Sequence, residues 1–95
     1  MGLGMDVACI GLEKTPEIES AAAQALLTLL RFAHEVTRCS LAVTATDAGY
    51  VTRLEVFSSR REPILIEHYR SPNLLRCIDR VFVETGARLL ALSFR

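Results

Sequence analysis

Two helical stripes, separated by alternating segments, organise the chain. From Ile18, apolar residues recur at Ala22, Ala25, Leu29, Phe32 and Val36, three or four positions apart, which keeps them on one side of a helix. Thr15-Pro16-Glu17 stands just ahead of the stripe. A hydroxyl at the N-cap, proline at the first helical position and an acid in the first turn each satisfy or tolerate N–H groups that lack an intrahelical partner. The spacing predicts a helix over residues 16–37. Ser71-Pro72-Asn73 is a second start of this kind, and Leu74, Ile78, Val81, Thr85, Leu89 and Leu92 form the stripe behind it.

Between and before the helices the period drops to two. Residues 5–12 are short, apolar and bounded by glycine and charge, as a strand covered on at least one face should be. Residues 39–46 (CSLAVTAT) and 50–58 (YVTRLEVFS) are β-branched and alternating, and Asp47-Ala48-Gly49 between them reads as the turn of a hairpin. Arg60-Arg61-Glu62-Pro63 turns the chain again before a short strand at residues 64–69, in which His68 is expected to face solvent on a sheet edge. The end admits two readings. Gly86 costs about 1 kcal/mol inside a helix relative to alanine and is favoured just beyond one, while residues 90–95 alternate cleanly enough for a strand. If the second helix runs through Gly86, the chain is an α+β domain of order β-α-β-β-β-α, a four-stranded sheet with two helices on one face. If it stops there, a C-terminal strand makes the fold ferredoxin-like or ACT-like.

The 95 residues allow one domain, read as residues 5–95 behind a disordered lead at 1–4. Half the chain (51%) is hydrophobic and the mean hydropathy is +0.29, which excludes the composition of a disordered chain. Eleven basic and eleven acidic residues cancel, so no global field draws in nucleic acid or an anionic membrane. The halves differ: residues 1–59 sum to −3 and residues 60–95 to +3, and ten of the eleven bases are arginine. Three cysteines without a CxxC pair carry no zinc signature. The longest uncharged stretch of the first helix, residues 20–30, is well short of the roughly 20 a bilayer needs, and no basic region precedes an apolar one at the start. A reduced, cytosolic protein with no cofactor and no membrane contact is expected.

Catalysis finds little support. Cys39 and His34 would bring a strand start near a helix end, but no third group or oxyanion motif accompanies them, and Cys9 and Cys77 fall on core-facing positions. No enzyme is expected. Phosphate contact is the first candidate chemistry: Arg76 and Arg80 lie one turn apart opposite the apolar stripe, and Arg31, Arg53 and Arg60-Arg61 can extend a patch. Protein contact is the second. Ala23, Leu27 and Leu30 lie on or near the side of the first helix opposite its main stripe, where they either pack against the second helix or stay exposed for a partner, including a weak homodimer.

Read end to end, the chain resembles the ribosome hibernation-promoting factor family, also called ribosome-associated inhibitors or sigma-54 modulation proteins. The likeness runs through the opening strand Met5-Asp6-Val7-Ala8-Cys9-Ile10-Gly11, the Thr15-Pro16 helix start, Leu30-Arg31-Phe32 through Val36 to Cys39, and Tyr50-Val51-Thr52-Arg53-Leu54-Glu55-Val56. It ends in a helix with Leu74, Ile78-Asp79, Phe82 and Leu89. The resemblance implies a non-enzymatic factor that binds the small ribosomal subunit or its RNA and limits translation under stress. It also implies that bases on the helices face RNA, here Arg31 on the first and Arg76, Arg80 and Arg88 on the second. The first helix instead shows Glu17, Glu19, Ser20, Ala23, Gln24, Leu27 and Thr28 before its first base. A member of the fold that has lost RNA binding and works through protein contact is the alternative.

Overall fold

Alternation and capping produce six elements in the computed structural model, which describes residues 3–59 and 61–93. They are β1 (Gly4–Ile10), α1 (Pro16–Leu26), β2 (Arg38–Thr46), β3 (Gly49–Phe57), β4 (Pro63–Ser71) and α2 (Leu74–Ser93), with a 3-10 segment (Leu27–Phe32) continuing α1. The sheet runs β1-β2-β3-β4. β1 and β2 are parallel, so α1 is their crossover, and the other two pairs are antiparallel. Both helices cover one face of the sheet, and the order is β-α-β-β-β-α.

The C-terminal strand alternative is overturned. α2 passes through Gly86 to Ser93, because Phe82, Thr85 and Leu89 on either side of the glycine are buried. Burial of each large apolar side chain is worth roughly 1.5–3 kcal/mol, which outweighs the ~1 kcal/mol that glycine costs a helix. Phe94 and Arg95 lie outside the described residues. Leu92, expected on the core stripe, is 44% exposed at the end of the helix.

Element boundaries differ from the sequence pattern: β1 stops at Ile10, β4 extends over Pro63–Ser71, and three further differences have a clear local cause. The first helix tightens to 3-10 geometry at Leu27 and ends at Phe32 rather than at 37. Thr28 Oγ1 donates to Ala25 O at 2.7 Å, a competing bond of the kind that bends helices, and the 3-10 rise of ~2 Å per residue lengthens the element. Val36 is still buried, but from the loop that follows. The cap of α2 is Asn73, whose Oδ1 accepts from Arg76 N at 3.0 Å, while Ser71 closes β4. Finally, β1 begins at Gly4 and Leu3 packs against the core, so residues 3 and 4 belong to the folded part and not to a lead. Met1 and Gly2 lie outside the described residues.

The core lies between the sheet and helices. All six residues of the first stripe are buried, and they meet Cys39, Leu41 and Val43 of β2, Leu54 and Val56 of β3, and Ile78, Val81 and Phe82 of α2. Two hydroxyls enter this layer. Thr85 Oγ1 donates to Val81 O at 2.6 Å within α2. Thr52 Oγ1 lies 3.3 Å from Tyr69 O and 3.2 Å from Cys77 O, which joins β3, β4 and α2 without leaving a polar group unpaired. Burial raises the Cys39 thiol from 9.0 to about 11, against a smaller opposing effect of the Arg38 charge.

Two glycines of opposite kind test these statements. Gly49 holds φ at 139°, and a Cβ there would lie 2.7 Å from Pro72 Cα and 2.8 Å from Ser71 O, so Gly49→Ala should cost about 2 kcal/mol or more in urea unfolding. At Gly86 a Cβ meets only Leu29 Cδ2 at 3.7 Å, and Gly86→Ala should stabilise the protein by about 0.5–1 kcal/mol. For Cys39, the folded state prefers the thiol. Its contribution to stability is present in full below pH 9 and is lost as the pH rises through about 11. A urea midpoint falling in that range, and restored by Cys39→Ala only in its pH dependence, would check this.

Candidate functional site

The helix layer presents an outer surface with three kinds of residue. Along α2, Arg76, Arg80, Glu84 and Arg88 recur every four positions and so form one slowly turning stripe on the β4 side of the helix. Arg80 Nη2 pairs with Glu84 Oε2 at 2.8 Å, and its guanidinium lies 6.0 Å from the centre of the Tyr69 ring on β4. Arg80 Nε is buried without a hydrogen-bond partner among the described residues. Further along, Arg88 Nε lies 3.5 Å from Glu67 Oε2, a β4 carboxylate whose side chain is only 15% exposed. Arg76, in the first turn, is exposed and has no acidic partner among the described residues.

Between α2 and the 3-10 segment runs an apolar groove of about 200 Å³, lined by Thr28, Phe32, Phe82, Val83, Gly86 and Leu90, with Arg31 at its rim. The Arg31 guanidinium stacks 5.6 Å from the Phe32 ring centre and has no acidic partner among the described residues. Arg76 is about 9 Å along α2 from Phe82, the α2 residue of the groove nearest to it, at 1.5 Å per residue. These two arginines without an acidic partner thus both belong to the helix layer. Ala23, Leu27 and Leu30 are exposed on the outer side of the first helix, Leu27 at 61% and Leu30 at 50%. They stand outside the groove and do not fill it.

Arg53 is not brought to this surface. It lies on the open face of the sheet, where its Nη2 pairs with Glu55 Oε2 at 2.7 Å. Arg38 shares that face, stacked 3.9 Å over the Phe57 ring and 3.4 Å from Asp6 Oδ2, and on β4 His68, opposite Arg53, and Arg70, opposite Val51, are exposed. Of the five arginines singled out in the sequence, four thus belong to the helix layer and one to the opposite side. Arg61 is exposed in the β3–β4 turn, and Arg60 lies outside the described residues.

Sequence reasoning missed the acids that hold the arginines. The Arg80–Glu84 pair was readable as an i,i+4 spacing; the Glu67–Arg88 pair joins two elements and had no sequence signal. The apolar groove was equally silent, because Val83, Gly86 and Leu90 fall off the core stripe and meet Phe32 only when the two helices are laid side by side. The Cys39 and His34 pair does not form a catalytic unit: Cys39 is buried with its thiol protonated, and His34 is exposed in the turn after Phe32. Among the described residues no group of three or more His, Cys, Asp or Glu is arranged to hold a metal, and no helix is long and apolar enough to cross a membrane.

No protein-family model matches the sequence, and no curated protein matches it either. Solved structures do. A ribosomal subunit interface protein from Coxiella burnetii superposes with a TM-score of 0.85 over 98% of this chain and 100% of that one, at 9% identity. The N-terminal domain of Protein Y from Thermus thermophilus superposes with a TM-score of 0.79 over the whole of both chains, at 17% identity. The chain thus has the fold of a ribosomal subunit interface protein and of the Protein Y N-terminal domain, the fold that its likeness to the hibernation-promoting factors implies.

Proposed function

We propose that this protein is a non-enzymatic, cytoplasmic ribosome-associated factor that modulates translation by laying the outer surface of its helix layer on RNA of the small ribosomal subunit, without a cofactor. The observation that carries the reading is full-length agreement in fold with a ribosomal subunit interface protein. Arg31 and Arg76 are the first contacts, since no carboxylate has to be displaced from either. Arg80 and Arg88 join them by exchanging Glu84 and Glu67 for phosphate. For the exposed Arg80–Glu84 pair, worth about 0–1 kcal/mol, this exchange is inexpensive; releasing Arg88 strips the mostly buried Glu67 of its partner and costs more, so Arg88 joins last. Arg53, on the far side of the sheet, takes no part.

Two to four arginine contacts set the expected salt dependence. Binding to purified small subunits should weaken about 10- to 150-fold between 50 and 200 mM salt, far less than for a site with six to ten phosphate contacts. The Arg31→Glu/Arg76→Glu variant should abolish cosedimentation with small subunits at low salt, and Arg53→Glu should leave it intact. Unchanged binding after the double reversal would end the RNA reading.

A second reading rests on the exposure of Leu27 and Leu30 beside an acidic helix start: contact with another protein chain through Ala23, Leu27 and Leu30. It predicts that Leu27→Asp, and not the arginine reversal, removes ribosome association. The RNA reading predicts the reverse, and the same sedimentation gradients decide between them.

A further inference from the structure

Neither the backbone nor the packing of α2 requires the glycine at position 86. It lies inside the helix, where only proline is less favourable. Among the described glycines, positive φ is confined to Gly11 and Gly49, so the conformation at Gly86 is one that alanine adopts freely. A Cβ there would meet Leu29 Cδ2 at 3.7 Å, an ordinary contact, and nothing nearer. What this glycine does supply is open space in the groove between α2 and the 3-10 segment.

The remaining lining of the groove has a definite chemical character. Arg31 is the one charged residue among the described residues that line it, and its guanidinium, stacked on Phe32, has no acidic partner among them. Thr28 Oγ1 donates to Ala25 O, which leaves the same oxygen able to accept a further bond. The other walls are apolar, and Val83 among them is 37% exposed. Pockets that enclose a whole drug-sized ligand run to roughly 300–1,000 Å³. At about 200 Å³ this groove admits one ring system, with an anionic substituent left at the rim.

We propose that the groove takes the unstacked base of a single nucleotide of single-stranded RNA, with Arg31 on its phosphate. This rests on the RNA reading above and adds to it the form of the RNA, a loop or bulge rather than a continuous duplex. A nucleotide carries flat faces for the apolar walls, an edge with N–H donors for Thr28 and one anionic group for Arg31. A duplex keeps its bases stacked and offers phosphate and ribose, for which an apolar groove has no use. An apolar protein side chain would fill the walls but leave Arg31 without an anion. One hydroxyl reads little of a base edge, so the preference among bases is weak.

Proton–nitrogen NMR of the full chain, titrated with adenosine or uridine monophosphate, tests this directly. Amides of Thr28, Phe32, Val83, Gly86 and Leu90 should shift, with a dissociation constant on the order of 1–10 mM, as suits one half-covered ring. Ribose phosphate, which has no base, should disturb only the neighbourhood of Arg31. Gly86→Ala should raise the thermal midpoint and weaken nucleotide binding about tenfold, the effect of one added methyl in an apolar pocket. Opposite signs in stability and binding exclude unfolding as the cause. Val83→Glu, at an exposed position, should abolish binding, and Arg53→Glu, across the sheet, should leave it unchanged. Equal shifts from ribose phosphate and nucleotide would reduce the site to a phosphate contact and overturn the proposal. So would nucleotide binding that is unaltered in Gly86→Ala and Val83→Glu. Weaker small-subunit binding by these variants, without nucleotide shifts in the parent chain, assigns the groove to a protein side chain and also overturns it. The titration uses no ribosome, so the two readings fail separately. Nucleotide in the groove without subunit association upholds the groove and ends the ribosomal reading; subunit association that Gly86→Ala leaves intact, without nucleotide in the groove, does the reverse.

Discussion

Two helices can cover only one face of a four-stranded sheet, and the rest of the molecule follows from that restriction. In β2 and β3 the period of two sends Cys39, Leu41, Val43, Thr52, Leu54 and Val56 under the helices, all of them fully buried. Ser40, Thr44, Arg53 and Glu55, one position out of step, remain on the open side. A slip of one residue in either strand would exchange the two sets, so the register has to be fixed at the turn. That turn is Asp47-Ala48, closed by Gly49, whose backbone conformation and close approach to Pro72 tie the hairpin to the start of α2. One glycine thus ties the strand register to the start of the helix that carries Arg76, Arg80 and Arg88.

The absence of net charge is built from local pairs and not from an even scatter. Arg38 meets Asp6, Arg53 meets Glu55, Arg80 meets Glu84 and Arg88 meets Glu67. Such pairs add little to stability when exposed, and on the proposed RNA reading their effect falls on recognition. Each paired arginine presents a phosphate with a dipole where an unpaired one presents a full charge, which lowers long-range attraction but leaves close contact available. On the RNA reading proposed above, recognition would depend on shape and on Arg31 and Arg76, the bases of the helix layer without an acidic partner among the described residues, more than on a general positive field.

Much of the fold was legible because its signals are local. The two stripes, the hairpin and the Thr15 cap needed only periodicities and turn chemistry, and Thr15 Oγ1 accepts from Ile18 N at 3.3 Å as that chemistry requires. The course of α2 past Gly86 was not local: it depends on Phe82, Thr85 and Leu89 finding a sheet and a second helix beneath them. The candidate site was less legible than the fold for the same reason. A helical wheel shows that Arg76 and Arg80 leave the core, but only the β4 neighbours show that Arg80 rests over Tyr69 and that Arg88 is drawn down to Glu67. Arg53 illustrates the reverse: its strand position already placed it out of step with Thr52 and Leu54, so the alternation alone put it on the face away from the helices.

The unequal ends of the β4 edge come from the way α2 is laid against it. The helix returns antiparallel to the strand, so Tyr69, Glu67 and Leu65 meet Arg80, Arg88 and Leu92 in reverse chain order. Polar groups accumulate where β4 ends and α2 begins, and apolar groups accumulate where β4 begins and α2 ends. Leu92 belongs to this arrangement: it keeps the apolar spacing of its stripe but has passed beyond the strands that would cover it, so it adds to the edge and not to the core. The last turn of α2 therefore continues the apolar run of residues 64–66 instead of closing over it, and the helix length decides how much of that run the helix layer leaves uncovered.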